Sequence, residues 1–327
     1  MPIIYAIAAL SLFVLASLTY VYKYRGEARW ETLSEYMRKG WPLFAPLNCL
    51  LYMFTDARAS RSIMNMKEFP EFDFLQKNWQ VIRDEAIALH SGKHFEATSK
   101  PQTAAYYDLG FRTFYKYGWS KFYLNWYGYT HASAKKLCPK TVEILSQVPQ
   151  VKGAMFSVLP SGSKLTRHLD PLACSLRYHL GLSTPNDNKC FINVDGKDYS
   201  WRDGEGFIFD ETYLHYANNN ADKTRIILMC DIERPMNILG KIVHFFYSAI
   251  TRLTVVPNME GDKRGFVNTV FSAMSPLLAK TKALKQTNRP LYLTIKYTVN
   301  TSLILLVMFI VGGTFNVIYN LAGNILR

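Results

Sequence analysis

From Val151 onward the chain is cut into short apolar runs by Gly, Pro, Asn and Asp, and this punctuation constrains the fold more than any other feature. Ala154–Leu159, Leu176–Leu182, Cys190–Val194, Tyr199–Trp201, Gly206–Phe209 and Arg225–Cys230 each read as a strand. Asp195-Gly196 between two of them is a strong hairpin signal. Many short strands at even spacing predict a sandwich or barrel. A jelly roll of two sheets is the natural choice, because it hosts sites between its sheets. The expected class is therefore mainly β with flanking helices.

The two ends differ from this middle. Ile3 to Tyr22 carries no charge and has the roughly 20 apolar residues that a bilayer-crossing helix needs. No Lys or Arg precedes it, as one would in a cleaved secretory leader, so an uncleaved anchor is expected. Tyr297 to Leu326 is also charge-free and is expected to be a second transmembrane helix. Lys23, Arg25 and Arg29 follow the first run, and Lys280, Lys282, Lys285, Arg289 and Lys296 precede the second. Basic residues at span ends stay in the cytoplasm, so both flanks predict that the middle of the protein, between two spans, is cytoplasmic. The formal net charge of +13 asks for an anionic partner. Without a finger, RRM or helix-turn-helix pattern, no nucleic acid is expected, and a membrane surface or acidic substrate is preferred. The five cysteines, Cys49, Cys138, Cys174, Cys190 and Cys230, show no C-x-x-C spacing, which excludes a disulfide framework or zinc site.

Between these ends, Glu71 to His90 and Ala132 to Val148 have helical periodicity, and Pro149 ends the second. Tyr106 to Tyr129 is crowded with aromatics and is expected in the core. Residues 30 to 70 lie at the interface or pack on the domain, and the sequence does not choose. Met236 to Leu253 reads as an amphipathic helix, lying on the membrane or packed on the sheets. The expected organisation is thus an anchor at 1–24, a membrane-proximal segment at 25–70, a catalytic domain at 71–235, a basic helical segment at 236–296 and a second membrane helix at 297–327.

The chemistry lies in the strand-rich part. His168 and Asp170 are two apart, so on a regular strand they share a face, and Pro171 would end that strand. His215 follows the buried-looking run Phe207-Ile-Phe209 and the polar turn after it. Two imidazoles and one carboxylate with open positions form the facial triad of a non-haem Fe(II) oxygenase. Taken singly, each His reads as a structural residue and Asp170 as a turn. Arg225 begins an apolar strand, and a buried guanidinium needs an anion. The far carboxylate of 2-oxoglutarate would serve, as would Asp231 or Asp210.

Phe156-Ser157, His168-x-x-Pro171, Leu176-Arg-Tyr-His-Leu-Gly-Leu182, Phe209-Asp210 with His215, and Arg225 with Asp231 resemble the aspartyl/asparaginyl β-hydroxylase family over about residues 70 to 235. That family comprises Fe(II)- and 2-oxoglutarate-dependent dioxygenases on a double-stranded β-helix. Together with the two expected spans, Tyr178-His-Leu-Gly-Leu182, Pro185-Asn-Asp187, Trp201-Arg-Asp-Gly204 and Asp210-Glu-Thr-Tyr-x-His215 look closer still to bacterial lipid A hydroxylases. Those act at the inner membrane on a secondary acyl chain of lipid A. The resemblance implies that His168 and His215 bind iron, that Ser157 and Arg225 hold the distal carboxylate of 2-oxoglutarate, and that Arg177 and His179 lie near its other carboxylate. The animal protein hydroxylases of the family have glycine where this chain has Asp170, which by ligand chemistry should complete the triad. O2 is the implied second co-substrate. The competing expectations are a peptidyl aspartyl/asparaginyl hydroxylase and an inert, membrane-anchored jelly roll that binds an anionic lipid.

Overall fold

The computed structural model describes residues 2–100, 103–108, 110–299 and 301–302. Contacts divide the chain into two units, Met1–Thr269 and Val270–Arg327. The first contains both sheets. Its strands are β1 Ser120–Trp126, β2 Tyr129–Thr130, β3 Val151–Leu159, β4 Lys164–His168, β5 Ser175–Ser183, β6 Cys190–Val194, β7 Lys197–Ser200, β8 Gly206–Phe209, β9 His215–Asn219 and β10 Arg225–Glu233.

One sheet has the order β2-β1-β3-β10-β5-β8 and the other β4-β9-β6-β7. Every strand pair is antiparallel. From β3 to β10 the chain passes back and forth between the sheets, crossing over except at the β6–β7 hairpin. This is the winding of a double-stranded β-helix, the jelly roll expected from the punctuation. The hairpin turn is at Asp195-Gly196, with φ of 54° and 88°. Both signs are those of a type I′ turn, which matches the twist of its strands.

The larger sheet is buried on both faces. Phe156, Leu176, Tyr178, Leu180, Leu228 and Cys230 face outward into a core closed by Phe72, Leu75, Ile82, Ala86 and Leu89 of the covering helices. Met155, Leu159, Ile227 and Met229 face inward and meet Ile192, Val194 and Ala217 of the smaller sheet. Double burial explains why β10 reads as an unbroken apolar run where a half-exposed strand would alternate. It also gives the polar residues of these strands a direction. Ser157, Arg177, His179, Arg225 and Asp231 share the inward parity of Met155 and Met229.

The flanking elements differ in detail from expectation. The helix predicted over Glu71–His90 is Asp73–Lys77 and Trp79–Ser91, broken at Asn78. That predicted over Ala132–Val148 is Ala132–Leu137 and Pro139–Ser146, because Pro139 cannot continue the first helix and starts the second. The aromatic run becomes a 3-10 helix, Arg112–Tyr117, and strand β1. Residues 30–70 pack on the domain in part, with Trp30, Tyr36 and Leu51 buried. The first expected span is α-helical over Pro2–Thr19 and continues as a π-helical turn, Tyr20–Tyr24. An α-helix of 18 residues reaches about 27 Å, less than the roughly 30 Å hydrocarbon core. Among the described residues no helix is long and apolar enough to cross a membrane. The second expected span, Tyr297 to Leu326, lies outside the described residues beyond Ser302.

Candidate active site

Strands β4 and β9 pair with His168 opposite His215, so the two rings meet at the mouth of the space between the sheets, 4.2 Å apart at their centroids. His168 Nδ1 donates to the Thr166 carbonyl at 2.6 Å and His215 Nδ1 to the Tyr213 carbonyl at 2.9 Å. These bonds fix one tautomer on each ring, with Nε2 the unprotonated nitrogen, the arrangement of metal-binding histidines. Burial holds His168 down to about 4; burial and then the neighbouring His168 hold His215 down to about 3. Both rings are therefore neutral at ordinary pH.

Asp170 completes the group: the potential ligand atoms of His168, Asp170 and His215 all lie within 4.8 Å of one another. It does not share a strand with His168, as the two-residue spacing predicted. Strand β4 stops at His168, and Asp170 sits in the loop after it. There its backbone N–H donates to the Glu211 carbonyl at 2.8 Å, and its carboxylate accepts from Arg177 at 2.8 Å. The sequence proximity is real, but the convergence comes from these cross-links rather than from strand alternation.

Arg177 anchors a buried acidic cluster. It stands opposite Asp231 in the β5–β10 register and lies 3.2 Å from it, and it also holds Glu211 and Asp170. Burial pushes Asp231 and Glu211 each up to about 7, against the pull of Arg177. Ser175 Oγ donates to Glu211 at 2.7 Å. Glu211 is a member of the site that sequence reasoning passed over. Its signal was its place in the polar turn before His215.

Arg225 behaves differently. It was expected to meet either a co-substrate or one of Asp231 and Asp210. Neither acid is its partner: Asp231 pairs with Arg177, while Asp210 pairs with Arg25 and Arg234, each at 2.8 Å. Arg225 is 2% exposed, and among the described residues no carboxylate lies within ion-pair distance of it. Its guanidinium lies 4.5 Å from the Trp201 ring centre and donates to Ser157 Oγ at 3.3 Å, and its Nε has no partner. Burial lowers its pKa to about 10. His179 is a second orphan. Trp201 Nε1 donates to its Nδ1 at 3.3 Å, which places the ring proton on Nε2, and that buried atom has no partner. A cavity of about 50 Å³ joins these groups, lined by Ser157, His168, Asp170, Arg177, His179, His215 and Arg225 together with Trp119, Trp201 and Met229. All seven residues singled out from the sequence meet there.

The donor set fits iron and a dicarboxylate. Two neutral imidazoles and a carboxylate leave positions free on an octahedral metal, and the orphaned guanidinium and imidazole N–H supply donors for an anion. Two imidazoles and a carboxylate with open positions are the donor set found in non-haem Fe(II) oxygenases. Residues 76–235, which contain every residue of the site, match the family described as aspartyl/asparaginyl beta-hydroxylase. An ornithine lipid ester-linked acyl 2-hydroxylase of Rhizobium tropici is 36% identical over 128 residues, covering 39% of this chain and 46% of that protein. The human aspartyl/asparaginyl beta-hydroxylase is 29% identical over 166 residues, covering 49% of this chain and 21% of its own. The chain thus spans less than half the length of these relatives. Among solved structures, a prolyl-4-hydroxylase of Pseudomonas putida overlays on 36% of this chain and 72% of its own at 18% identity and a TM-score of 0.26, so the architecture rests on the strand order itself.

Proposed function

We propose that this chain is an Fe(II)- and 2-oxoglutarate-dependent dioxygenase that hydroxylates an acyl chain of a membrane lipid, with a secondary acyl chain of lipid A at the bacterial inner membrane as the specific substrate. The observation that carries the reading is a buried guanidinium, Arg225, with no protein anion, in the same cavity as two neutral imidazoles and a carboxylate. His168, Asp170 and His215 would hold the metal. Arg225 and Ser157 would receive one carboxylate of 2-oxoglutarate, and His179 Nε2 the other end, beside Arg177. Iron with 2-oxoglutarate and O2 supplies an oxidant for unactivated C–H bonds. Arg177, tied to Asp231 and Glu211, keeps the Asp170 carboxylate in place. Trp119, Trp201 and Met229 keep the cavity apolar and exclude water.

A lipid substrate is supported by the Rhizobium tropici relative, whose substrate is a lipid-linked acyl group. Exposed apolar side chains support attachment to a bilayer. On Pro2–Thr19, Leu10, Leu12 and Leu15 are 62–69% exposed; on Ile238–Arg252, Ile238, Phe245, Phe246 and Ile250 are 60–70% exposed. The cytoplasmic orientation rests on the basic residues flanking the two apolar runs. The test is release of CO2 from 2-oxoglutarate by the purified protein with lipid A or with an Asp/Asn-containing peptide. The lipid reading expects lipid-dependent release and one added oxygen atom on an acyl chain. Peptide-dependent release with an unaltered lipid would sink it in favour of a peptidyl hydroxylase.

A further inference from the structure

A second cavity, of about 630 Å³, opens on the outer face of the smaller sheet. Arg29, Lys39, Lys164 and Arg167 line it against one acid, Glu35. Two of these cations are neutralised locally: Lys39 by Glu35 at 3.0 Å and Arg167 by Glu31 at 3.1 Å. The other two are not. Among the described residues the Arg29 guanidinium donates only to the backbone carbonyls of Arg25 and Ala28, and neither Arg29 nor Lys164 has an ion-pair partner. A lone lysine on an edge strand such as β4 would be read as a guard against edge pairing. Here a guanidinium from a distant segment, Arg29, lines the same cavity, and that segment is held in place. Glu27 and Ala28 N–H both donate to the buried Asp195 carboxylate at the hairpin tip, at 2.6 and 2.9 Å. Gly26, at φ of 76°, lies so close to Asp195 and Tyr213 that a Cβ would strike them.

The cavity has two neighbours. Leu165 and Tyr216 line both it and the cavity that holds the triad, so the two adjoin across the β4 edge. On the other side, the helix Leu33–Lys39 contributes Glu35 and Lys39 to the wall, while its exposed Leu33 and Met37 lie on the opposite face of that helix. A ligand seated here would meet two cations without an ion-pair partner, next to a wall shared with the triad cavity.

We propose that this cavity is a phosphate-monoester subsite for an amphiphilic substrate. The phosphate would sit between Arg29 and Lys164, and an acyl chain would cross the β4 edge at Leu165 toward His168. A phosphate monoester carries about −1.5 to −2 charge at neutral pH, which two cations match. The Arg fork and the Lys ammonium both suit its oxygens. The assignment deepens the dioxygenase reading and rests on it for the fate of the acyl chain.

The test uses the full chain in dodecyl maltoside micelles, titrated with dilauroyl phosphatidic acid, dilauroyl phosphatidylcholine or inorganic phosphate. The variants are Arg29→Gln with Lys164→Gln, Lys164→Glu alone, and Lys189→Gln with Lys263→Gln as a control on exposed lysines. The double variant should bind phosphatidic acid at least about 10-fold more weakly, since two charge-assisted bonds are lost, and Lys164→Glu should follow it. The control should bind as the parent does, and phosphatidylcholine should not distinguish the proteins. Phosphatidic acid binding that ignores Arg29 and Lys164, in a double variant with a parental melting curve, overturns the site. Inorganic phosphate binding as tightly as phosphatidic acid overturns the amphiphile. A separate titration of the parent with 2-oxoglutarate distinguishes the two levels: phosphatidic acid bound through Arg29 and Lys164 without any 2-oxoglutarate binding would sink the dioxygenase reading and leave the subsite standing.

Discussion

Replacing Arg225 with Met separates a residue built for a ligand from one built for the fold. The guanidinium is fully enclosed, and burial lowers its pKa from the usual arginine range to about 10. That displacement corresponds to about 3 kcal/mol held against the charged form in the absence of a partner. Met fills a similar volume without the charge. Against the relief stand the stacking on Trp201, worth about 1–2 kcal/mol, and the long bond to Ser157, worth about 1 kcal/mol or less. The balance is a net change between about zero and +2 kcal/mol. In a domain of this size that raises Tm by no more than about 8 °C. A structural ion pair would behave oppositely, because losing one partner of a buried pair costs about 3–5 kcal/mol. The assay is thermal denaturation with and without 2-oxoglutarate. At 100 times its Kd, a co-substrate should stabilise the parent by about 2.7 kcal/mol and the variant not at all. A fall in Tm of more than about 6 °C without ligand would refute the argument, as would a co-substrate shift that survives the substitution.

The triad, the N-terminal clasp and the sheet core give further tests. Asp170→Ala should weaken binding of Co(II) by at least about 10-fold, followed by equilibrium dialysis, because one of three ligands is lost. Asp210 bridges Arg25 and Arg234; burial opposes its charge, but Arg234 and then Arg25 outweigh that and hold its pKa at about 2. The folded value lies below the unfolded 3.8, so its contribution of about 2 kcal/mol is complete above pH 3.8 and lost as pH falls through 2. Asp210→Asn should flatten that part of an acid-denaturation curve and, by stranding two buried cations, cost about 3–5 kcal/mol in urea unfolding. Leu228, fully buried on the central strand β10, should cost about 2–5 kcal/mol as Ala in the same experiment.

The strands with unbroken apolar character were legible in the sequence. Cys190–Val194 and Gly206–Phe209 fall at the residues expected, and β3, β5 and β10 extend their predicted runs at one or both ends. Strands β4 and β9 were not legible. Lys164-Leu-Thr-Arg-His168 and His215-Tyr-Ala-Asn-Asn219 are mixed sequences whose strand character comes from pairing, β4 with β9 and β9 with both β4 and β6. These same strands carry both histidines, and polar side chains of this kind interrupt the apolar pattern that reveals a strand. The ligand set was visible as residue types, and the position of Asp170 was not, since it depends on Glu211 and Arg177 from elsewhere in the chain. The partners of Arg225 were likewise undecidable from spacing. Asp231 stands six positions along the same strand, and only the β5–β10 register assigns it to Arg177.

The most direct measurement is an anomalous difference map from crystals grown without oxygen and soaked with Mn(II) and 2-oxoglutarate. A single metal peak bounded by His168 Nε2, the Asp170 carboxylate and His215 Nε2, with a dicarboxylate reaching from it to Arg225, is the predicted result. A metal bound elsewhere, or Arg225 still without an anion in crystals that hold 2-oxoglutarate at another place, would contradict it.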